Sequence, residues 1–228
     1  MEGYDNVYAI DFSTSQAGFL AGIAAADVAS QGLEGTSGNK TVGFIGGMDE
    51  VTVIEEFFIG YIQGVKYYDP ETTVVYNYVG DWGNPDKGRT QALAQYNDMN
   101  ADVIFACAGG SGNGVHQAAS EVGKYVIGVD SDQSSIAPKT VLTSAMKRVD
   151  NAVYDAVQEL IDDKLEGGVQ TFDLAAGGVD IAPSQDLISD DVIKAVDEVK
   201  EKIISGDVVI PDNKDDFEAK YGDVYVLD

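Results

Sequence analysis

Cysteine, histidine and tryptophan are almost absent from this chain: each occurs once in 228 residues, as Cys107, His116 and Trp82. One cysteine excludes an internal disulfide and any cysteine-based zinc site. One histidine excludes His-rich metal centres and most Ser-His-Asp schemes that need further histidines. Cations are scarce as well, with 14 Lys and Arg against 39 Asp and Glu, a formal charge of −25. Nucleic acid is therefore not an expected partner, because a phosphate binder needs clustered Lys and Arg. Anionic membrane surfaces are disfavoured for the same reason. No apolar run approaches the ~20 residues of a membrane span. The opening Met1–Asp5 has neither a basic start nor an apolar stretch, so no signal peptide is expected there and the chain as given reads as soluble. Residues cut away from an exported precursor leave no trace, so that origin stays open. H-E-x-x-H, Walker A, G-x-S-x-G and EF-hand patterns are all missing, and no catalytic group, metal or cofactor is expected.

What is present suits a folded domain. Hydrophobic residues make up 44% of the chain and aromatics 9%, enough for a substantial core. The length fits one large domain or two lobes. Short apolar runs alternate with helical patterns. Strands are expected at Val7–Asp11, Thr41–Gly46, Thr72–Val79, Val103–Cys107, Tyr125–Val129, Thr140–Ala145, Val169–Leu174 and Val179–Ala182. Helices are expected at about Ser15–Ser30, Thr52–Tyr67, Asn84–Met99, Val115–Val122, Asp150–Asp163 and from Ser189 to Ile204. Asn84-Pro85 reads as an N-cap followed by an N1 proline, and Ser189 as a second cap. Gly18 and Gly22 in the first helix suggest close backbone packing. The tail after Pro211 is acidic and is expected to be irregular in part. This alternation predicts βαβ units, a mostly parallel sheet, and ligand sites at the carboxyl ends of its strands.

The loops at those ends hold the candidate residues. Ala108–Gly114 is glycine-rich, follows a buried-type strand and opens a helix, so backbone can approach a ligand at Gly109 and Gly110. Asp130 closes the next strand, twenty residues past Gly110. That offset is where a dinucleotide-binding domain keeps its ribose-binding acid, but the glycines here run G-x-G-x-G rather than G-x-G-x-x-G. A carboxylate at a strand end can accept two hydrogen bonds from vicinal hydroxyls; it can equally be a solvated loop acid. Lys147 and Arg148 stand out among so few bases, and one of them beside Asp130 would keep that carboxylate ionised. Trp82 lies in a glycine-rich loop at a strand end, either as a stacking plate for a base or sugar or as a loop anchor. Asp49, after Gly46-Gly47-Met48, either touches ligand or starts the next helix. His116 reads as structural or surface, and Cys107 as a buried, inert thiol.

Taken together the segments resemble one family. They are Gln16–Gly22, Val42–Asp49, Asp86–Gly88, Ala101–Phe105, Ala108–Gly114, Val126–Gln133 and Ser144–Asp150, in an order and spacing that hold from about residue 7 to 211. The family is that of the basic membrane proteins, or PnrA-like group, bacterial lipoproteins that serve as substrate-binding components of ABC transporters for nucleosides. The resemblance implies an α/β fold of the periplasmic-binding-protein type I kind, with Rossmann-like lobes that close on ligand about a hinge. It assigns base stacking to Trp82, the ribose side to Gly109 and Gly110, ribose hydroxyls to Asp130 and assistance to Lys147. It implies a permease partner and an extracytoplasmic location with a lipid anchor in the full-length protein. Family members begin with further residues, including the lipobox cysteine and the opening strands of the first lobe. By this correspondence residues 1–12 are a partial first lobe and hinge, 13–144 a nearly complete second lobe, and 145–228 the return to the first lobe, hinge and C-terminal helix. The helix Asp150–Asp163 would then present Val153, Val157, Leu160 and Ile161 with little to cover them. A fragment of this kind is expected to bind nucleoside weakly or not at all and to self-associate through the incomplete lobe. Competing expectations are a sugar- or autoinducer-type binding protein or sensor module, and an NAD-dependent Rossmann enzyme supported only by Gly110 and Asp130.

Overall fold

The computed structural model describes residues 6–183 and 187–222; the Met1–Asp5 reading and the end of the acidic tail lie outside the described residues. Five strands run parallel: β2 (Thr41–Gly46), β3 (Thr73–Tyr78), β4 (Val103–Cys107), β5 (Tyr125–Asp130) and β6 (Val141–Lys147). A short strand β8 (Val179–Ile181) adds antiparallel to β6, giving the order β3-β2-β4-β5-β6-β8. The helices are α1 (Thr14–Gln31), α2 (Thr52–Tyr68), α3 (Pro85–Asn97), α4 (Gly112–Val122) and α6 (Asp190–Ile204). Side chains alternate along each strand, so each central strand feeds two cores. Phe44, Val103 and Phe105 pack with α1, α2 and α6. Ile45, Ile104 and Ala106 pack with α3 and α4. Burial on both faces explains why β4 is apolar throughout.

Two helix starts are set by side chains visible in the sequence. Asn84 Oδ1 accepts from the Lys87 amide (3.1 Å) with Pro85 at N1, and Ser189 Oγ accepts from the Val192 amide (3.3 Å). Helix α4 starts at Gly112, earlier than expected, after a 3₁₀ turn at Gly109–Ser111. The glycines at 109, 110, 112 and 114 hid this start, since glycine is a poor helix former. At Gly114 the backbone is crowded: a Cβ there would overlap the Pro85 carbonyl of α3. The acidic tail holds a further helix, α7 (Lys214–Tyr221), where irregular chain was expected. Asn213 caps it, Asp215 and Asp216 fill its first turn, and Phe217 is its one buried anchor.

A smaller parallel sheet pairs β1 (Tyr8–Phe12) with β7 (Gly168–Phe172). It is tied to α1 by the Ser13 amide on the Phe172 carbonyl (3.1 Å) and the Leu174 amide on Gln16 Oε1 (2.9 Å). Beside it, α5 (Val149–Ile161) buries only Ala152. Val153, Tyr154, Val157, Leu160 and Ile161 are all exposed, Ile161 by 71%. An apolar stripe of this size on the surface is characteristic of a face made to be covered.

Asp102, fully buried, fixes the Gln31–Lys40 loop. Its carboxylate accepts from the Ser37 amide (2.8 Å), from Ser37 Oγ (2.9 Å) and from Lys124 Nζ. Lys124→Met leaves the Ser37 bonds and removes one charged hydrogen bond, which costs about 1–3 kcal/mol. A Tm lower by several degrees is expected in thermal melts, against no measurable change for Lys139→Met on the exposed surface.

Candidate functional site

The strand order reverses between β2 and β4: the chain steps outward to β3, then returns past β2 to build β4, β5 and β6. In open α/β sheets the crevice outside the strand ends at such a reversal is where ligands bind. Gly46-Gly47 leaves β2 at that point and Ala108-Gly109 leaves β4. Trp82, from the loop after β3, lies across both. A Cβ on Gly47 would come within 2.2 Å of Cζ3 and 2.4 Å of Cε3 of its six-membered ring, and one on Gly109 would lie 3.3 Å from Cε3. Glycine at both positions is thus what seats the indole over the sheet edge.

The loop carrying Trp82 is held from beneath. Ser111 Oγ donates to the Asp81 carbonyl (2.7 Å) and accepts from the Asn84 amide (2.9 Å). The Ser111 amide donates to the Trp82 carbonyl (3.1 Å), and the Gly80 amide to the Gly47 carbonyl (2.8 Å). The backbone is pinned, yet the indole stays 43% exposed. A large aromatic surface left in water on a rigid support suits stacking.

Across from the indole, at the ends of β5 and β6, Asp130 Oδ1 lies 2.9 Å from Lys147 Nζ. The carboxylate keeps about half its surface in solvent, so one acceptor face remains open to a ligand. Trp82, Gly109, Asp130 and Lys147 line one cavity of about 220 Å³, together with Val129, Cys107 and the α2 residues Val53, Ile54 and Phe57. Burial, with the Asp130 carboxylate adding to it and Lys147 opposing, holds the Cys107 thiol well above its usual pKa. The thiol is thus a neutral, apolar wall and not a nucleophile.

Four of the six sequence candidates therefore meet in one cavity. Gly110 does not line it; it sits under the Trp82 carbonyl, where a Cβ would come to 3.0 Å. Asp49 is exposed on the loop leaving β2 and does not line it either. His116 is buried beside a different groove, of about 680 Å³, lined among others by Pro85, Asn113, Ser120 and Ile136. That groove holds Glu121, paired with Arg89 at 2.6 Å, but no Trp, Tyr or Phe among its described lining residues offers a stacking plate. The 220 Å³ cavity lies below the roughly 300–1,000 Å³ of ordinary small-molecule sites, as one wall of an open cleft would. Among the described residues no cluster of His, Cys, Asp and Glu could hold a metal ion, and no helix is long and apolar enough to cross a membrane.

The family model described as ABC transporter substrate-binding protein PnrA-like matches residues 1–214. The CD4+ T-cell-stimulating antigen of Listeria monocytogenes is 36% identical over 225 residues, covering 91% of this chain and 60% of that protein. Basic membrane protein C of Borreliella burgdorferi is 33% identical over 214 residues, covering 92% of this chain and 58% of that protein. Among solved structures, an ABC transporter solute-binding protein from Aeropyrum pernix superposes with a TM-score of 0.83 at 28% identity, over 96% of this chain and 70% of that one. The chain thus spans about three-fifths of the length of these curated relatives.

Proposed function

Because the chain belongs to the PnrA-like family of ABC transporter substrate-binding proteins, we propose that it captures a nucleoside, a purine nucleoside foremost, on the wall formed by Trp82, Asp130 and Lys147. The family is one of extracytoplasmic binding proteins and not of enzymes, and such a protein hands a small molecule to a transporter permease. The observation that carries the nucleoside reading is the pairing of an exposed indole with a half-exposed carboxylate on one cavity. A planar base stacks on the first. The vicinal hydroxyls of a ribose donate to the second, while Lys147 donates to a ligand oxygen. Gly109, which lines the cavity, lets the backbone come close on the ribose side.

The same reading divides the chain into a partial first lobe and hinge (1–12), a second lobe (13–144) and return segments (145–228). Supporting it, β1 pairs with β7 in a sheet of its own, and α5 is uncovered there. On this division Trp82, Gly109 and Asp130 fall in the second lobe, and Lys147 lies at the start of the return segments. On this reading the chain alone binds nucleoside weakly or not at all and self-associates through α5, and the longer protein, lipid-anchored, binds tightly.

Isothermal titration with inosine, guanosine, adenosine and cytidine tests the reading on this chain and on a version extended upstream to the length of its relatives. Tight binding of a nucleoside by the extended chain is expected. Binding of a sugar such as D-allose or D-galactose in preference to every nucleoside would replace this reading with that of a sugar carrier. Trp82→Ala in the extended chain is expected to weaken nucleoside binding about 5- to 150-fold, the ~1–3 kcal/mol of one base stacked on an aromatic ring. An unchanged affinity would reduce Trp82 to a loop anchor.

A further inference from the structure

Asp130 has a backbone conformation that few residues other than glycine adopt. Its φ is +66°, and across it the Ser131 amide donates to the Val129 carbonyl (2.8 Å). A three-residue turn with positive φ at its centre is rare and strained, and persists only where its surroundings over-determine it. Those surroundings converge on Gln133. Its Oε1 accepts from the Val129 amide (3.3 Å) and lies 2.9 Å from His116 Nε2, and its own amide donates to Ser144 Oγ (3.0 Å). Gly128 makes room for the clamp, since a Cβ there would lie 2.5 Å from Gln133 Oε1 and 2.6 Å from Ser144 Oγ.

The chemistry fixes the protons. An atom that accepts from the Val129 amide is the amide oxygen and cannot donate, so His116 Nε2 carries the hydrogen. Burial holds the His116 pKa below the ordinary histidine range, which favours the neutral ring with its hydrogen on Nε2. Its Nδ1 is buried with no hydrogen-bond partner among the described residues. A histidine that leaves one nitrogen unsatisfied in a core is a poor space-filler; the bond to Gln133 is what it contributes.

We propose that Gln133, oriented by His116, is a positioning residue of the ligand site, holding Asp130 in its turn so that the carboxylate stands at the cavity beside Lys147. Its consequence for affinity rests on the nucleoside reading; the positioning itself does not. The ¹⁵N-labelled 228-residue chain is compared with Gln133→Leu, Gln133→Glu and His116→Phe. Leucine removes the acceptor, glutamate restores it for both donors, and phenylalanine removes the donor while keeping the ring. The expected result is that Gln133→Leu and His116→Phe displace the Asp130 and Ser131 amide resonances and raise the inosine midpoint, read by Trp82 fluorescence, about tenfold. Gln133→Glu is expected to bring both back close to wild type. Unmoved Asp130 and Ser131 resonances in Gln133→Leu and His116→Phe, or a glutamate variant no better than leucine, overturns the proposal. Should Gln133→Leu not fold, His116→Phe against wild type makes the same comparison. If inosine moves nothing in the wild-type 228-residue chain, the titration passes to the chain extended upstream, where the same silence would end the nucleoside reading, and the amide resonances alone decide the positioning role.

Discussion

Replacing Asp130 by alanine in the extended chain is expected to weaken nucleoside binding at least ~100-fold, because two hydrogen bonds to a charged acceptor contribute on the order of 1.5–3 kcal/mol each. The loss arises in two ways. The ribose diol loses its acceptor, and Lys147, whose side chain is 25% exposed, loses its counter-charge at 2.9 Å. Backbone strain must be separated from charge, since φ at this position is +66°. Asparagine tolerates that conformation better than alanine does and keeps one acceptor oxygen. Asp130→Asn is therefore expected to fall between wild type and Asp130→Ala. Isothermal titration with inosine and 2′,3′-dideoxyinosine makes the assignment specific. Wild type should prefer inosine strongly, and Asp130→Ala should hold the two with similar affinity. If Asp130→Ala still discriminates between them, the diol is read elsewhere.

The second large effect is on stability. Helices α1 and α2 cross with their backbones in contact, and glycines on both sides allow it. A Cβ on Gly60 or Gly64 of α2 would overlap the carbonyls of Ser15 or Phe19 on α1. In return, Gly18 and Gly22 of α1 face the carbonyls of Phe57 and Tyr61 on α2. The obstacle at each position is backbone and cannot rotate away. Overpacking of this kind costs about 1–3 kcal/mol and sometimes more, and a rigid helix backbone places Gly64→Ala at the upper end. A chain of this size loses roughly 2–4 °C in Tm per kcal/mol, so a fall of about 6–12 °C is expected in thermal melts. Gly60→Ala with Gly64→Ala should not give a cooperative melt near the wild-type temperature. The same crossing sets α2 against the cavity, where Val53, Ile54 and Phe57 form part of the lining. A Gly64→Ala protein is thus expected to lose ligand affinity as well as stability. A Tm within a degree or two of wild type would mean that the helices separate at little cost.

Much of this was legible in the residues themselves, for reasons that differ by element. Strands β2 and β4 read true to their ends because apolar runs buried on both faces stop at glycine. Helix α3 was marked by Asn84-Pro85, whose cap geometry the fold uses. The Gly18 and Gly22 spacing announced a close helix crossing, but not its partner; Gly60 and Gly64 lie in a segment whose apolar pattern drew attention away from them. Trp82, Gly109, Asp130 and Lys147 stood out as strand-end residues of unusual type, and they share one cavity. Val53, Ile54 and Phe57 did not, since an apolar residue facing a cleft reads like one facing a core. Gln133 closes the Val126–Gln133 segment with nothing in its own neighbourhood to set it apart. Its role depends on His116, seventeen residues away, and no local pattern joins the two. Helix α7 was missed because one buried phenylalanine is too little to make a period.

Trp82 is the only tryptophan in the chain, so its emission reports on the proposed ligand wall alone. Titration of the 228-residue chain with inosine, adenosine, D-ribose and D-galactose, followed by that emission, tests the central claim most directly. Saturable quenching by the purine nucleosides, weak in this chain and absent with the two sugars, is the expected result. Emission that a sugar alters as strongly as a nucleoside, or that no nucleoside alters in this chain or in the chain extended upstream, contradicts the assignment of Trp82 as the plate on which a base stacks.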